Sequence, residues 1–148
     1  MEAAIAPGAL VLLTRLARLV YRRSSDQLLG MRLKQFGTLY YLRDHGRVLQ
    51  SELGEALHFD ANNLVLLLND LEASGLAERR RDPHDRRRHI VEITPEGVRA
   101  IERAERRMGT LEDEVLGALS ERERATLRRL LEKALDGQPR ASAVAAGD

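Results

Sequence analysis

The sequence predicts a mainly α-helical protein with one β-hairpin near its middle. Three observations predict it. Leucine-rich stretches recur at helical spacing across most of the 148 residues. Two short runs, 76–81 and 89–94, flank the polar connector Asp82-Pro83-His84-Asp85-Arg86-Arg87-Arg88, whose start has turn chemistry. The chain has no cysteine, which excludes disulfides, cysteine-based zinc sites and thiol nucleophiles together. A chain of this length buries a core without such staples.

The first helix is expected over 8–29. Leu10, Leu13, Ala17 and Val20 share one face, and Leu12, Leu16 and Leu19 widen it. A stripe so broad calls for more than one packing partner, and Gly30 suits the end. The second helix is expected over 33–44, with Leu33, Phe36, Leu39 and Tyr40 inward. Gly37 inside it costs up to about 1 kcal/mol relative to Ala, which points to close packing there. A short third helix spans 51–57, capped by Ser51. The fourth spans 61–74, capped by Asp60 and stopped by Gly75. After the hairpin, Thr94-Pro95-Glu96 opens a fifth helix: Thr94 caps, Pro95 fits the first position, and Glu96 complements the dipole. That helix is expected to run to about residue 118. Ser120 and Glu123 form a capping box for a sixth, which carries Leu127, Leu130, Leu131, Ala134 and Leu135. Residues 1–7 and the small, polar stretch 137–148 read as disordered. The domain plan is 1–30 and 95–136 as flanking helical regions, 31–94 as the central unit, and 137–148 as a tail.

Two short helices joined by His58-Phe59-Asp60 and followed by a hairpin make a winged helix-turn-helix. In that arrangement the second helix of the pair enters the DNA major groove. About 100° per residue places Leu64, Leu67, Leu68 and Leu71 on one side of it. Asn62, Leu66 and Asn69 then lie opposite, flanked by Val65 and Asp70. An asparagine pairs with an adenine edge, and apolar groups meet a thymine methyl. Val65 and Leu66 also read as ordinary exposed apolar residues.

Overall charge does not announce DNA: 24 Lys and Arg against 23 Asp and Glu give a net +1. The cations are local. Residues 79–88 hold six Arg against Asp82 and Asp85. Arg86, Arg87 and Arg88 at a hairpin tip would neutralise phosphates or enter a narrow A·T-rich minor groove. Asp85 is placed to orient the Arg87 guanidinium. Strand alternation sends neighbours among Arg79, Arg80 and Arg81 to opposite faces, so at least one is expected to pair within its own domain.

Other classes find little support. An aromatic content of 3% with no Trp argues against a single-strand stacking platform. His45, His58, His84 and His89 have no metal-ligand spacing. There is no phosphate loop and no nucleophile elbow, so neither an enzyme nor a cofactor is expected. Glu102 with Arg106 reads as a surface helix pair. No apolar run approaches the roughly 18 residues of a membrane span, and residues 1–13, without a basic start followed by a cleavage site, do not read as a secretory signal, so a cytoplasmic protein is expected.

Residues 53–97 resemble the MarR family of winged helix regulators. The resemblance is carried by Leu71-Glu72, Gly75-Leu76, Glu78-Arg79-Arg80, the connector 82–88, and Ile93-Thr94-Pro95-Glu96-Gly97. It implies a homodimer whose terminal helices interlock, and a pseudo-palindromic double-stranded DNA site. It implies repression, relieved by a small phenolic or aromatic acid bound near the junction of the first and fifth helices. Asp85 and Arg87 match the family's acidic wing residue and tip arginine. Asn62, Asn63, Val65 and Leu66 match its recognition-helix positions, where small or cationic polar residues are frequent at the last two. The DNA-binding set expected is therefore Ser51, Asn62, Asn63, Val65, Leu66, Asn69, Arg79, Asp85, Arg86, Arg87 and Arg88. Tyr21, Tyr40 and Tyr41 are the candidate ligand contacts, with packing as their commoner role. Two other readings stay open: a ligand-blind winged helix DNA-binding protein, and a protein-interaction module that docks a partner on Val65 and Leu66.

Overall fold

A computed structural model describes residues 6–138. Its elements in chain order are α1 (Ala9–Arg23), α2 (Asp26–Leu29), α3 (Leu33–His45), β1 (Val48–Leu49), α4 (Gln50–Leu57), α5 (Ala61–Ala73), β2 (Ala77–Arg81), β3 (His89–Ile93), α6 (Pro95–Val115) and α7 (Glu121–Asp136). Residues 1–5 and 139–148, parts of the two stretches expected to be disordered, lie outside the described residues.

The winged helix arrangement is present, with three corrections. The first helix is broken: the Ser24 N–H closes α1 on the Val20 carbonyl, and the Ser25 hydroxyl accepts from the Leu28 N–H to start α2. Two adjacent serines compete for helical backbone groups and reset the chain direction. Gly30 ends α2 in the left-handed region, as its lack of a Cβ permits. The sheet has three strands, not two, in the order β1-β3-β2. Val48 pairs with Val91, too short a run to show an alternation in sequence. The third correction concerns Ser51. Leu49 holds the N-cap position of α4 with no side-chain bond, and Ser51 falls inside the first turn.

The other caps hold. Asp60 accepts from the Asn63 N–H, Thr94 from the Gly97 N–H, and the Ser120–Glu123 capping box is closed at both bonds. The core gathers where α3, α5, α6 and the sheet meet, around Leu39, Leu42, Leu53, Leu68, Leu71, Val91 and Ile101, all essentially inaccessible. Tyr40 is not part of it; Thr38 is buried in the same helix and Tyr40 is 43% exposed. Nor is Gly37 closely packed, since a Cβ there would meet nothing within 4 Å.

The tight approach is at Gly97. A Cβ at that position would lie 2.1 Å from the Leu76 carbonyl oxygen and 2.6 Å from Ile93 Cγ1. The Thr94 hydroxyl donates to the Gly75 carbonyl at 2.6 Å, and the Thr94 N–H donates to the Leu76 carbonyl at 3.1 Å. Together they dock the start of α6 onto the α5–β2 turn. That docking fixes the wing relative to the long helix.

A second tie joins α3 to α6. Arg43 donates two hydrogen bonds to Glu105, at 2.8 and 2.6 Å, and its guanidinium lies 5.0 Å from the Tyr40 ring centre. The Arg43 hydrogen bond, more than the charge itself, holds the Glu105 carboxyl below its ordinary range, and Arg43 is held charged in return. A carboxylate lowered on folding adds stability that is full above about pH 4.5 and is lost as pH falls through its folded value. Glu105→Gln should therefore cost about 1 kcal/mol at pH 7, given the partial exposure of the pair. Urea unfolding at pH 7 and pH 3.5 checks this, because the gap from wild type should narrow at the lower pH. Glu102 and Arg106 do not appear among the ion pairs of the described residues; Arg124 with Asp113 does, at 2.6 Å.

Helices α1 and α7 contain no buried residue. Leu10 is 78% exposed and Leu135 is 60% exposed. No helix is long and apolar enough to cross a membrane among the described residues.

Candidate nucleic-acid interface

Asp60 starts α5 squarely, and four leucines on one side (Leu64, Leu67, Leu68 and Leu71) bury it against the core. The side turned to solvent carries Asn62, Val65, Leu66 and Asn69, spaced at three and four residues and so aligned in one stripe. Leu66 is 62% exposed and Val65 38%. The sequence expectation of a free face on this helix is met.

The hairpin tip is built by two aspartates. Asp82 accepts from the His84 N–H at 2.9 Å, and Asp85 accepts from the Arg87 N–H at 3.1 Å. The same Asp85 oxygen accepts from Arg87 Nε at 3.2 Å, and its partner oxygen lies 3.5 Å from Arg88 Nε. The backbone bond from Arg87, followed by its side-chain bond, holds the Asp85 carboxyl below the usual carboxylate range. Arg87 nevertheless projects into solvent, with a side chain 91% exposed. A carboxylate at its base thus aims a guanidinium whose outer donors stay free. Arg86 is exposed and has no ion-pair partner among the described residues.

Between α4, the α4–α5 turn and the wing lies a cleft of about 640 Å³. Ser51, His58, Asp60, Arg87 and Arg88 are among its lining residues. Ser51, though not a cap, therefore faces the same groove as the wing arginines.

Three residues of the expected set, Arg79, Asn69 and Asn63, are engaged inside the domain. Arg79 donates to Glu72 and to the side-chain amide oxygen of Asn69, and its side chain is 20% exposed. It is the arginine that alternation turns inward, while Arg80 pairs with Glu92 at 3.4 Å. Asn63 is turned back as well, its side-chain amide donating to Asp60 at 2.6 Å. Arg32 holds Asp70 at 2.6 Å from the start of α3. Sequence reasoning missed Arg32 and Glu72, because partners 38 and seven residues apart carry no local pattern.

The three tyrosines do not converge. Tyr21 is exposed on α1, Tyr40 lies near Phe36 and under Arg43, and Tyr41 stacks on His45 at 3.8 Å. None lines the second cavity, of about 480 Å³, which α1 forms with Leu127 and which has Arg15 at its edge.

Comparison with known proteins agrees with this geometry. The chain is 35% identical over 98 residues to a putative transcriptional regulatory protein for the hcr operon of Thauera aromatica, covering 66% of this chain and 59% of that protein. It is 34% identical over 107 residues to the transcriptional repressor NicR of Pseudomonas putida, covering 72% of this chain and 68% of that one. The crystal structure of an E. coli MarR mutant, with serine in place of a cysteine, complexed with operator DNA superposes with a TM-score of 0.67 at 30% identity, over 85% of this chain and 95% of that one. Residues 29–88 match the MarR family profile. With a free reading helix, an arginine-tipped wing and relatives of this kind, the chain belongs to the MarR family of transcriptional regulators.

Proposed function

We propose that this chain is a cytoplasmic, non-catalytic, dimeric regulator that binds a pseudo-palindromic duplex and represses by occluding a promoter. The observation that carries the reading is the solvent-facing stripe of α5, with Asn62, Val65 and Leu66 left open beside the exposed Arg87. In two copies, α5 enters successive major grooves about 34–36 Å apart. Arg86, Arg87 and Arg88 follow the flanking backbone or minor groove. Ser51 approaches a phosphate from the cleft it shares with the wing. The exposed leucines of α1 and α7 support pairing with a second copy, since apolar faces of this extent usually meet a partner. Residues 31–94 then act as the DNA-binding region and the flanking helices as the dimer frame.

Selection of duplexes from a random pool tests the reading. The expected result is a two-fold symmetric consensus, bound with a steep negative dependence on salt. A protein-interaction module, favoured only by the exposure of Val65 and Leu66, predicts neither. Release by a small phenolic or aromatic acid belongs to the same proposal. The cavity beside Arg15 is lined by the same α1 leucines that would meet a second copy, so a ligand there would sit at that seam with a cation at hand. Titration of the protein–DNA complex with salicylate separates a ligand-released repressor from a ligand-blind one.

A further inference from the structure

The side chains of α5 that remain unengaged say which base pairs it reads. Four base edges are open to side chains in the major groove, each with its preferred partner. Guanine is read by Arg or Lys, and α5 contains neither. Cytosine is read by a carboxylate. The two acids of α5 are both held within the chain, Asp70 by Arg32 and Glu72 by Arg79. Adenine is read by the two-sided amide of Asn or Gln. Asn69 accepts from Arg79 at its side-chain amide oxygen, and Asn63 donates its side-chain amide to Asp60. Asn62, on the first turn, has no partner among the described residues and keeps both sides of its amide open. Thymine is marked by its C5-methyl group, which apolar side chains meet. Val65 and Leu66 lie three and four residues beyond Asn62 on the same stripe and are exposed.

We propose that α5 reads a half-site of A·T pairs: Asn62 on an adenine edge, Val65 and Leu66 against thymine methyl groups, and no guanine contact from the helix. The Arg32–Asp70 and Arg79–Glu72–Asn69 contacts are positioning devices in this scheme. They hold the C-terminal half of α5 out of the base code and leave the N-terminal half to read. The wing agrees with such a site, because A·T-rich segments narrow the minor groove and favour an inserted arginine. This rests on the DNA-binding reading above, and its test distinguishes the two.

The probe is the duplex selected from the random pool, with each half-site thymine replaced in turn by deoxyuridine. That replacement removes one methyl group and leaves the pairing edge intact. Wild type should lose about fourfold in affinity for each contacted methyl, the value of one buried methylene-sized group. Leu66→Ala should bind the thymine duplex more weakly and lose the response at its own position, while Leu66→Met keeps it. Coupling in this cycle is what a direct contact produces. Asn62→Ala should lose at least about fivefold on the selected site and far less on random DNA. Melting curves confirm that these surface variants fold. Selected half-sites with G·C pairs under the helix would overturn the proposal, as would indifference to deoxyuridine throughout. Absence of any preferred duplex would instead overturn the DNA-binding reading itself.

Discussion

Gly97→Ala is expected to destabilise the fold by about 3 kcal/mol, a large share of the roughly 5–15 kcal/mol that holds a domain together. The new methyl would sit 2.1 Å from the Leu76 carbonyl oxygen, a backbone atom fixed by its bond from the Thr94 N–H. Nothing flexible is available to yield. Relief requires α6 to lift from the α5–β2 turn, which strains the Thr94–Gly75 bond and the packing of Ile101 behind it. Overpacking against side chains costs about 1–3 kcal/mol, and a backbone obstacle belongs at or above the top of that range. Urea unfolding checks it. Gly37→Ala is the matched control: it also adds a methyl within a helix, but into open space. That change should stabilise by up to about 1 kcal/mol through helix propensity. Similar midpoints for the two variants would show that α6 is not seated as described.

Arg87→Ala should weaken binding to every duplex by on the order of a hundredfold. Two copies lose one charge-assisted contact each, about 1.5 kcal/mol apiece. The slope of log affinity against log salt should become shallower by about 1.8, two phosphates at about 0.9 each. Arg87→Lys should recover most of the slope and less of the affinity, since an ammonium retains charge and loses the planar fork. Asp85→Ala should fall between. It leaves Arg87 charged but removes the acceptor that takes both its N–H and its Nε. Fluorescence anisotropy across a salt series measures all three. Unchanged affinity and slope for Arg87→Ala would remove the wing from the interface.

Local signals in the sequence carried the reading head well. Asp60, Thr94, Pro95 and the Ser120–Glu123 box each act on backbone groups within three residues, and each behaves as expected. The leucine period assigned the two sides of α5 correctly for the same reason. The Ser51 cap and the break at Ser24 and Ser25 were local misreadings, and the other failures depended on distance along the chain. β1 exists because Val48 finds Val91, 43 positions away, and nothing in two residues announces a strand. Asn69 and Asn63 read as equals of Asn62 until Arg79 and Asp60 claim their amides. Glu105 is bonded to Arg43 of α3, 62 positions away. Gly97 closes a helix-start string and Gly37 lies within a helix, yet only the approach of the Leu76 carbonyl shows that Gly97 is the closely packed one.

In the proposed scheme grip and choice occupy separate segments, because α5 bears no cation while the wing tip bears three arginines in a row. A substitution at Val65 or Leu66 could redirect such a regulator to a new set of genes without loosening its hold on the chromosome at large. Duplicated copies would then be able to diverge in target one exposed side chain at a time, each intermediate still competent to search.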